Sequence, residues 1–183
     1  GSEAQARRGH SEGNRTMEKY LTNSSLETKN LGSNFAKQLK SGDVVLLYGD
    51  LGAGKTIFVQ GIAGGLGVKE RILSPTFVLI RQYETPHPSP LLKGEEKRKS
   101  SRPASRQGGQ ARTINLYHVD LYRIEGKEAL DSLGLIETIK EPGSITIIEW
   151  ADRLSDFKYK QGYRIWFKYL GKDKREITIE KLT

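Results

Sequence analysis

The sequence predicts an α/β fold, a mixed sheet flanked by helices with a C-terminal antiparallel hairpin. Three observations predict it. In the first half, short β-prone apolar runs alternate with helical patterns, as where "DVVLLY" (43–48) is followed by a helix from Lys55 to about Gly64. In the second half strands dominate, and "YRIWFKYL" and "REITIEKL" flank the turn "GKDK". The longest apolar runs are about five residues, far from the roughly 20 that span a bilayer.

Residues 1–16 lack periodicity and large apolar side chains, and the only methionine is Met17. They read as a disordered cloning leader ahead of a native start, outside the fold. "EKYLTN" (18–23) is a short strand. Ser24 and Glu27 form a capping box, Leu31, Phe35 and Leu39 recur at four-residue spacing, and Gly42 closes this amphipathic helix. "TFVLIRQYE" (76–84) is a strand entered through Pro75. "INLYHVDLYRI" (114–124) is another, "GKEALDSLGLIE" (126–137) a short helix, and "SITIIEW" (144–150) a strongly apolar strand ending in an acid.

Residues 86–112 hold four of the six prolines and are rich in Ser, Gly, Lys and Arg. Such a composition cannot bury a core, so it reads as a disordered basic insertion in a hairpin-like connection. A basic lid or RNA-contacting arm is the alternative. Residues 17–183 otherwise form one domain. The net charge of +8 invites a nucleic-acid reading, but residues 86–112 carry +5 of it and residues 1–16 a further +1. The absence of cysteine excludes a disulfide framework, a Cys-based zinc site and an iron–sulfur cluster, and fits a reducing compartment. No stretch resembles a signal peptide. A soluble cytoplasmic protein, with no membrane association, is expected.

The chemistry concentrates at one junction. Gly49-Asp50-Leu51-Gly52-Ala53-Gly54-Lys55-Thr56 fits G-x-x-x-x-G-K-[ST] without mismatch, between an apolar strand and a helix. Glycines allow positive φ, so that backbone N–H groups close around phosphate oxygens. The helix N-terminus adds its positive end. Lys55 would reach the β/γ-phosphates and the Thr56 hydroxyl would ligate Mg²⁺.

Such a loop needs an acid at the end of a second apolar strand, and Glu149 in "ITIIEW" supplies one. Asp120 is a second acid, for water or metal positioning near the γ-phosphate. Period-two alternation places Leu116, His118, Asp120 and Tyr122 on one face. His118, the only histidine outside the leader and insertion, is either part of the site or a packed structural residue. In "LSPTF" (73–77), Thr76 or Ser74 is placed to meet Mg²⁺ or the γ-phosphate. No N-K-x-D follows a late strand, and "DSLG" (131–134) falls in a helical pattern, which favours ATP over GTP.

"LYGDLGAGKTIFVQGIAGGLG", "SPTFVLI", "YHVDLYRI" and "IIEWADRL", in that order, resemble the TsaE (YjeE) family of small P-loop ATPases, from about Met17 to the C-terminus apart from residues 86–112. The resemblance implies weak ATP hydrolysis in the service of threonylcarbamoyladenosine (t6A) formation on tRNA. It implies TsaB and TsaD as partners, with tRNA reached indirectly through them. By family motif, Lys55 and Thr56 are the P-loop pair, Glu149 the Mg²⁺ partner and Asp120 an acid important for hydrolysis. Thr76 falls in a switch-like loop, Trp150 beside the nucleotide, and Glu27 and Thr28 over the adenine. About 27 residues interrupt the compact family pattern. A small-metabolite kinase and a non-enzymatic nucleic-acid binder using the 86–112 arm are the alternatives.

Overall fold

A computed structural model describes residues 6–8, 16–74, 79–85, 114–124, 134–154 and 161–182. The strands are β1 (Ala6–Arg8), β2 (Met17–Thr22), β3 (Val44–Tyr48), β4 (Ile80–Glu84), β5 (Asn115–Asp120), β6 (Ser144–Glu149), β7 (Gly162–Gly171) and β8 (Lys174–Leu182). The helices are α1 (Ser25–Phe35), α2 (Lys55–Gly65) and α3 (Leu135–Lys140), with short 3₁₀ turns at Ala36–Gln38 and Ala151–Arg153.

The strands form one mixed sheet in the order β1-β2-β8-β7-β3-β6-β5-β4. β3 runs parallel to both β6 and β7, and β5 runs parallel to β6. The remaining pairs are antiparallel, including the predicted β7–β8 hairpin. Its turn residues Lys172 and Asp173 both take positive φ, the conformation that a tight two-residue hairpin demands.

The central strands are buried on both faces, which explains why they read as continuous apolar runs. On one face Val45, Leu47, Leu116, Ile145, Ile147 and Ile165 pack under α1 and α2 through Leu31, Phe35, Phe58 and Ile62. On the other, Val44, Leu46, Val119 and Ile148 pack with Leu121, Leu135 and Ala151. The two helices pack at backbone distance. A Cβ on Gly61 would lie 2.0 Å from the Lys29 carbonyl oxygen, and one on Gly32 would lie 2.3 Å from that of Phe58.

Several boundaries differ from the sequence reading. The strand predicted over 114–124 stops at Asp120, because the Asp120 carboxylate accepts the Tyr122 N–H at 2.9 Å and turns the chain. Tyr122 thus leaves the face it was assigned to, and its ring packs on Trp150. Part of the segment read as a leader joins the fold, since Ala6–Arg8 pairs with the otherwise open edge of β2. The segment of the helix read over 126–137 is described only from Gly134, and α3 runs from Leu135 on to Lys140. Residues 86–112 and Thr76 lie outside the described residues. The strands flanking that insertion pair antiparallel, and Thr85 and Ile114 close the pair with two hydrogen bonds of 3.1 Å.

Candidate functional site

The site is assembled at the C-terminal edge of the parallel strands, where β3, β5 and β6 end side by side. β3 runs into the glycine-rich loop. Gly49, Gly52 and Gly54 have φ of +131°, +76° and +105°, the left-handed conformations this motif requires. The Ala53 N–H bonds the Asp50 carbonyl at 3.2 Å, and Leu51 stands exposed at the tip. Gly54 begins α2 without any side-chain cap. The first N–H groups of that helix are therefore available to an anion.

The loop curls around the Lys55 ammonium. Nζ donates to the carbonyls of Gly49 (2.5 Å) and Asp50 (2.9 Å) and sits 4.0 Å from the centroid of the Trp150 ring. Burial pushes this ammonium below the usual lysine range, against the opposing pull of Glu149, Asp120, Asp152 and Asp50. A phosphate entering the loop would give the cation the partner its burial calls for.

Thr56, the next residue, faces the end of β6. Its hydroxyl donates to Glu149, with Oγ1 2.9 Å from Oε1 and 3.1 Å from Oε2, across 93 residues of sequence. A hydroxyl and a buried carboxylate meeting at one point are hard oxygen donors of the kind Mg²⁺ takes together with phosphate oxygens and water. Glu149 also meets His118, whose Nε2 lies 2.8 Å from Oε1.

Asp120 is opposite Glu149 in the β5–β6 register and almost wholly buried. Its Oδ2 accepts from the Ser74 hydroxyl at 2.7 Å. Of the two candidates in that segment, Ser74 thus meets Asp120 directly, while Thr76 lies outside the described residues. Trp150 takes φ +60°, which turns the chain after Glu149 and lays the indole beside Lys55.

Two predicted residues are differently engaged. The Glu27 carboxylate accepts the Asn23 N–H at 2.8 Å while Ser24 Oγ accepts the Glu27 N–H at 3.1 Å, so the pair caps α1. Thr28 is completely buried, with its hydroxyl shared between Thr22 Oγ1 (2.9 Å) and the Ser24 carbonyl (3.1 Å). It presents no surface to a ligand in this structure. The sequence reading also missed Arg175. Its buried guanidinium packs against Gly54, where a Cβ would lie 2.8 Å from Nε, and it reaches Asp173 through Nη1 at 2.7 Å. The signal was available: alternation in "REITIEKL" puts Arg175 on the face of Ile177 and Ile179.

Comparison with known proteins identifies the family. The family model described as "Threonylcarbamoyl adenosine biosynthesis protein TsaE" matches residues 22–93 and 105–177, breaking within the insertion. A Rickettsia typhi protein named tRNA threonylcarbamoyladenosine biosynthesis protein TsaE is 34% identical over 163 residues, covering 88% of this chain and 94% of that protein. A Bacillus subtilis protein of the same name is 34% identical over 161 residues, with 88% and 84% covered. The crystal structure of Bacillus subtilis YdiB superposes with a TM-score of 0.65 at 28% identity, over 94% of this chain and 90% of that one. With most of the chain matched by the family model and by these relatives, the chain belongs to the TsaE family.

Proposed function

We propose that this protein binds ATP with Mg²⁺ and hydrolyses it, as an accessory to t6A formation on tRNA. The observation that carries the reading is the Thr56–Glu149 contact, which joins the glycine-loop hydroxyl to the acid ending the neighbouring parallel strand. Around it stand a lysine enclosed by the loop and an uncapped helix N-terminus.

The residues divide the work as follows. The loop N–H groups from Gly49 to Thr56 and the start of α2 bind the polyphosphate. Lys55 exchanges the Gly49 and Asp50 carbonyls for phosphate oxygens. Thr56 and Glu149 would hold Mg²⁺, which neutralises phosphate charge when bound. Asp120, whose carboxylate is fixed by the Ser74 hydroxyl and the Tyr122 N–H, orients water toward the terminal phosphorus. The water oxygen bonds to that phosphorus, the bond to the bridging oxygen breaks, and the proton leaves to solvent.

The names of the family and of its relatives support t6A formation as the process served. On the family resemblance, the ATP cycle acts on a TsaB–TsaD assembly, and tRNA is reached through that assembly. A cytoplasmic site of action fits the absence of cysteine and, among the described residues, of any helix long and apolar enough to cross a membrane.

The test is ATP titration with detection of released inorganic phosphate, comparing the unmodified protein with Lys55→Ala. The reading predicts saturable binding and slow phosphate release, both lost in the variant. Transfer of the phosphate to a small metabolite would establish a kinase in its place.

A further inference from the structure

We propose that His118 is a positioning residue for Glu149. It would hold that carboxylate turned toward Thr56, and so set how strongly the site takes Mg²⁺. The inference rests on the proposed reading of Thr56 and Glu149 as the Mg²⁺ pair.

His118 is wholly buried in the middle of β5, on the face under α2. Its Cα is paired with Ile147, two residues before Glu149 on the same face of β6. The imidazole therefore reaches diagonally along the sheet, and Nε2 meets Oε1 at 2.8 Å. An ionised carboxylate only accepts, so the hydrogen is on Nε2. Nδ1 is buried and has no hydrogen-bond partner among the described residues. The Nε2–H tautomer leaves a lone pair there, which is cheaper to bury unpaired than an N–H. Histidine is a costly choice for a position walled by Leu116 and Ile147 unless the ring nitrogen is used.

The consequence is geometric. With Oε1 held by His118, the carboxylate cannot rotate freely about its last bond, and both oxygens stay within reach of Thr56 Oγ1. Partners that orient metal-ligating groups in this way typically change metal affinity or activity by about 10–100-fold when removed.

The experiment uses the full chain and three variants. His118→Leu fills the space without a donor. His118→Gln puts its Nε2 where the imidazole Nε2 stands. His118→Asn places its nitrogen nearer the backbone, at the level of Nδ1. The Mg²⁺ concentration for half-maximal phosphate release should rise about 10–100-fold in His118→Leu and His118→Asn. It should return toward the unmodified value in His118→Gln, and ATP affinity in EDTA should be the same throughout. In the unmodified protein without nucleotide, ¹⁵N spectra of the imidazole should show the Nε2–H tautomer. A folded His118→Leu with an unchanged Mg²⁺ response would overturn the proposal. So would a His118→Gln no better than His118→Asn, or an Nδ1–H tautomer. Should His118→Leu not fold, the Gln and Asn pair decides. If even the unmodified protein binds no ATP, the nucleotide reading fails, and the tautomer alone decides the His118–Glu149 contact.

Discussion

Two chemically identical substitutions, six ångströms or less apart along one helix, should move stability in opposite directions. Gly61 and Gly64 both lie in α2. A Cβ at Gly61 would stand 2.0 Å from the Lys29 oxygen, 2.9 Å from its carbon and 3.1 Å from Gly32 Cα. Contacts under 3.0 Å essentially never occur for a real Cβ, so α1 and α2 must open by 1 Å or more. The obstructing atoms are backbone and cannot swing aside, which puts the cost at about 3 kcal/mol, the upper end for overpacking. The better helix propensity of Ala offsets about 1 kcal/mol. Gly61→Ala should therefore lose about 2 kcal/mol, a Tm about 4–8 °C lower for a chain of this size. At Gly64 a Cβ meets nothing within 4 Å, so Gly64→Ala keeps only the propensity term. It should gain up to about 1 kcal/mol, or about 2–4 °C. Thermal unfolding by circular dichroism, with urea midpoints at a common slope, measures both. The opening of α2 should also displace Lys55 and Thr56, its first residues, and weaken ATP binding in Gly61→Ala alone. Equal shifts for the two variants, or a stabilised Gly61→Ala, would refute the close helix contact.

Other outcomes follow from the same geometry. Burial pushes the Asp43 carboxyl above its ordinary value of 3.8, against hydrogen bonds from the Lys40 backbone and Gln161 and the charges of Lys181 and Lys40. The folded state then holds this proton to higher pH than the unfolded chain, so the group's contribution to stability declines as pH rises from 3.8 through its folded value. Asp43→Asn should flatten that decline in urea midpoints taken across the acid range; an unchanged slope would contradict it. Burial, then the hydrogen bond to Glu141 and its charge, push the Tyr117 hydroxyl up to about 12. Ultraviolet titration should find one phenolate fewer in Tyr117→Phe near that pH and no difference near pH 10. Trp150 lies against the Lys55 ammonium, whereas Trp166 stacks on Tyr48. In a Trp166→Phe background, ATP should change the remaining indole emission as Lys55 moves to phosphate. No change in a protein shown by calorimetry to bind ATP would mean Lys55 stays on the indole.

What was legible in the sequence was local. The glycine loop, Lys55 and Thr56 occupy eight consecutive residues, and Glu149 ends an apolar strand, so motif and periodicity suffice to find them. The meeting of Thr56 with Glu149 was anticipated because the chemistry requires a hydroxyl and an acid at one point. Partner choice was not legible where it depends on register. The β5–β6 pairing that sets Asp120 beside Glu149 also aims His118 at Glu149, and alternation within β5 alone cannot show it. Arg175 was passed over because a charged residue after a turn reads as solvated, although its neighbours on that face are core. Glu27 carries two readings, a helix cap and a ligand contact, and its carboxylate makes the cap here, while the buried Thr28 hydroxyl is taken up by Thr22 and the Ser24 carbonyl.

The central claim, an ATP-driven accessory to tRNA modification, is tested most directly by t6A formation over many turnovers. The assay contains tRNA, the TsaB–TsaD pair and the enzymes that supply the threonylcarbamoyl group, with no addition, this protein, or Glu149→Ala. The account predicts repeated turnover only with the unmodified protein. Equal t6A yields in all three reactions would contradict it.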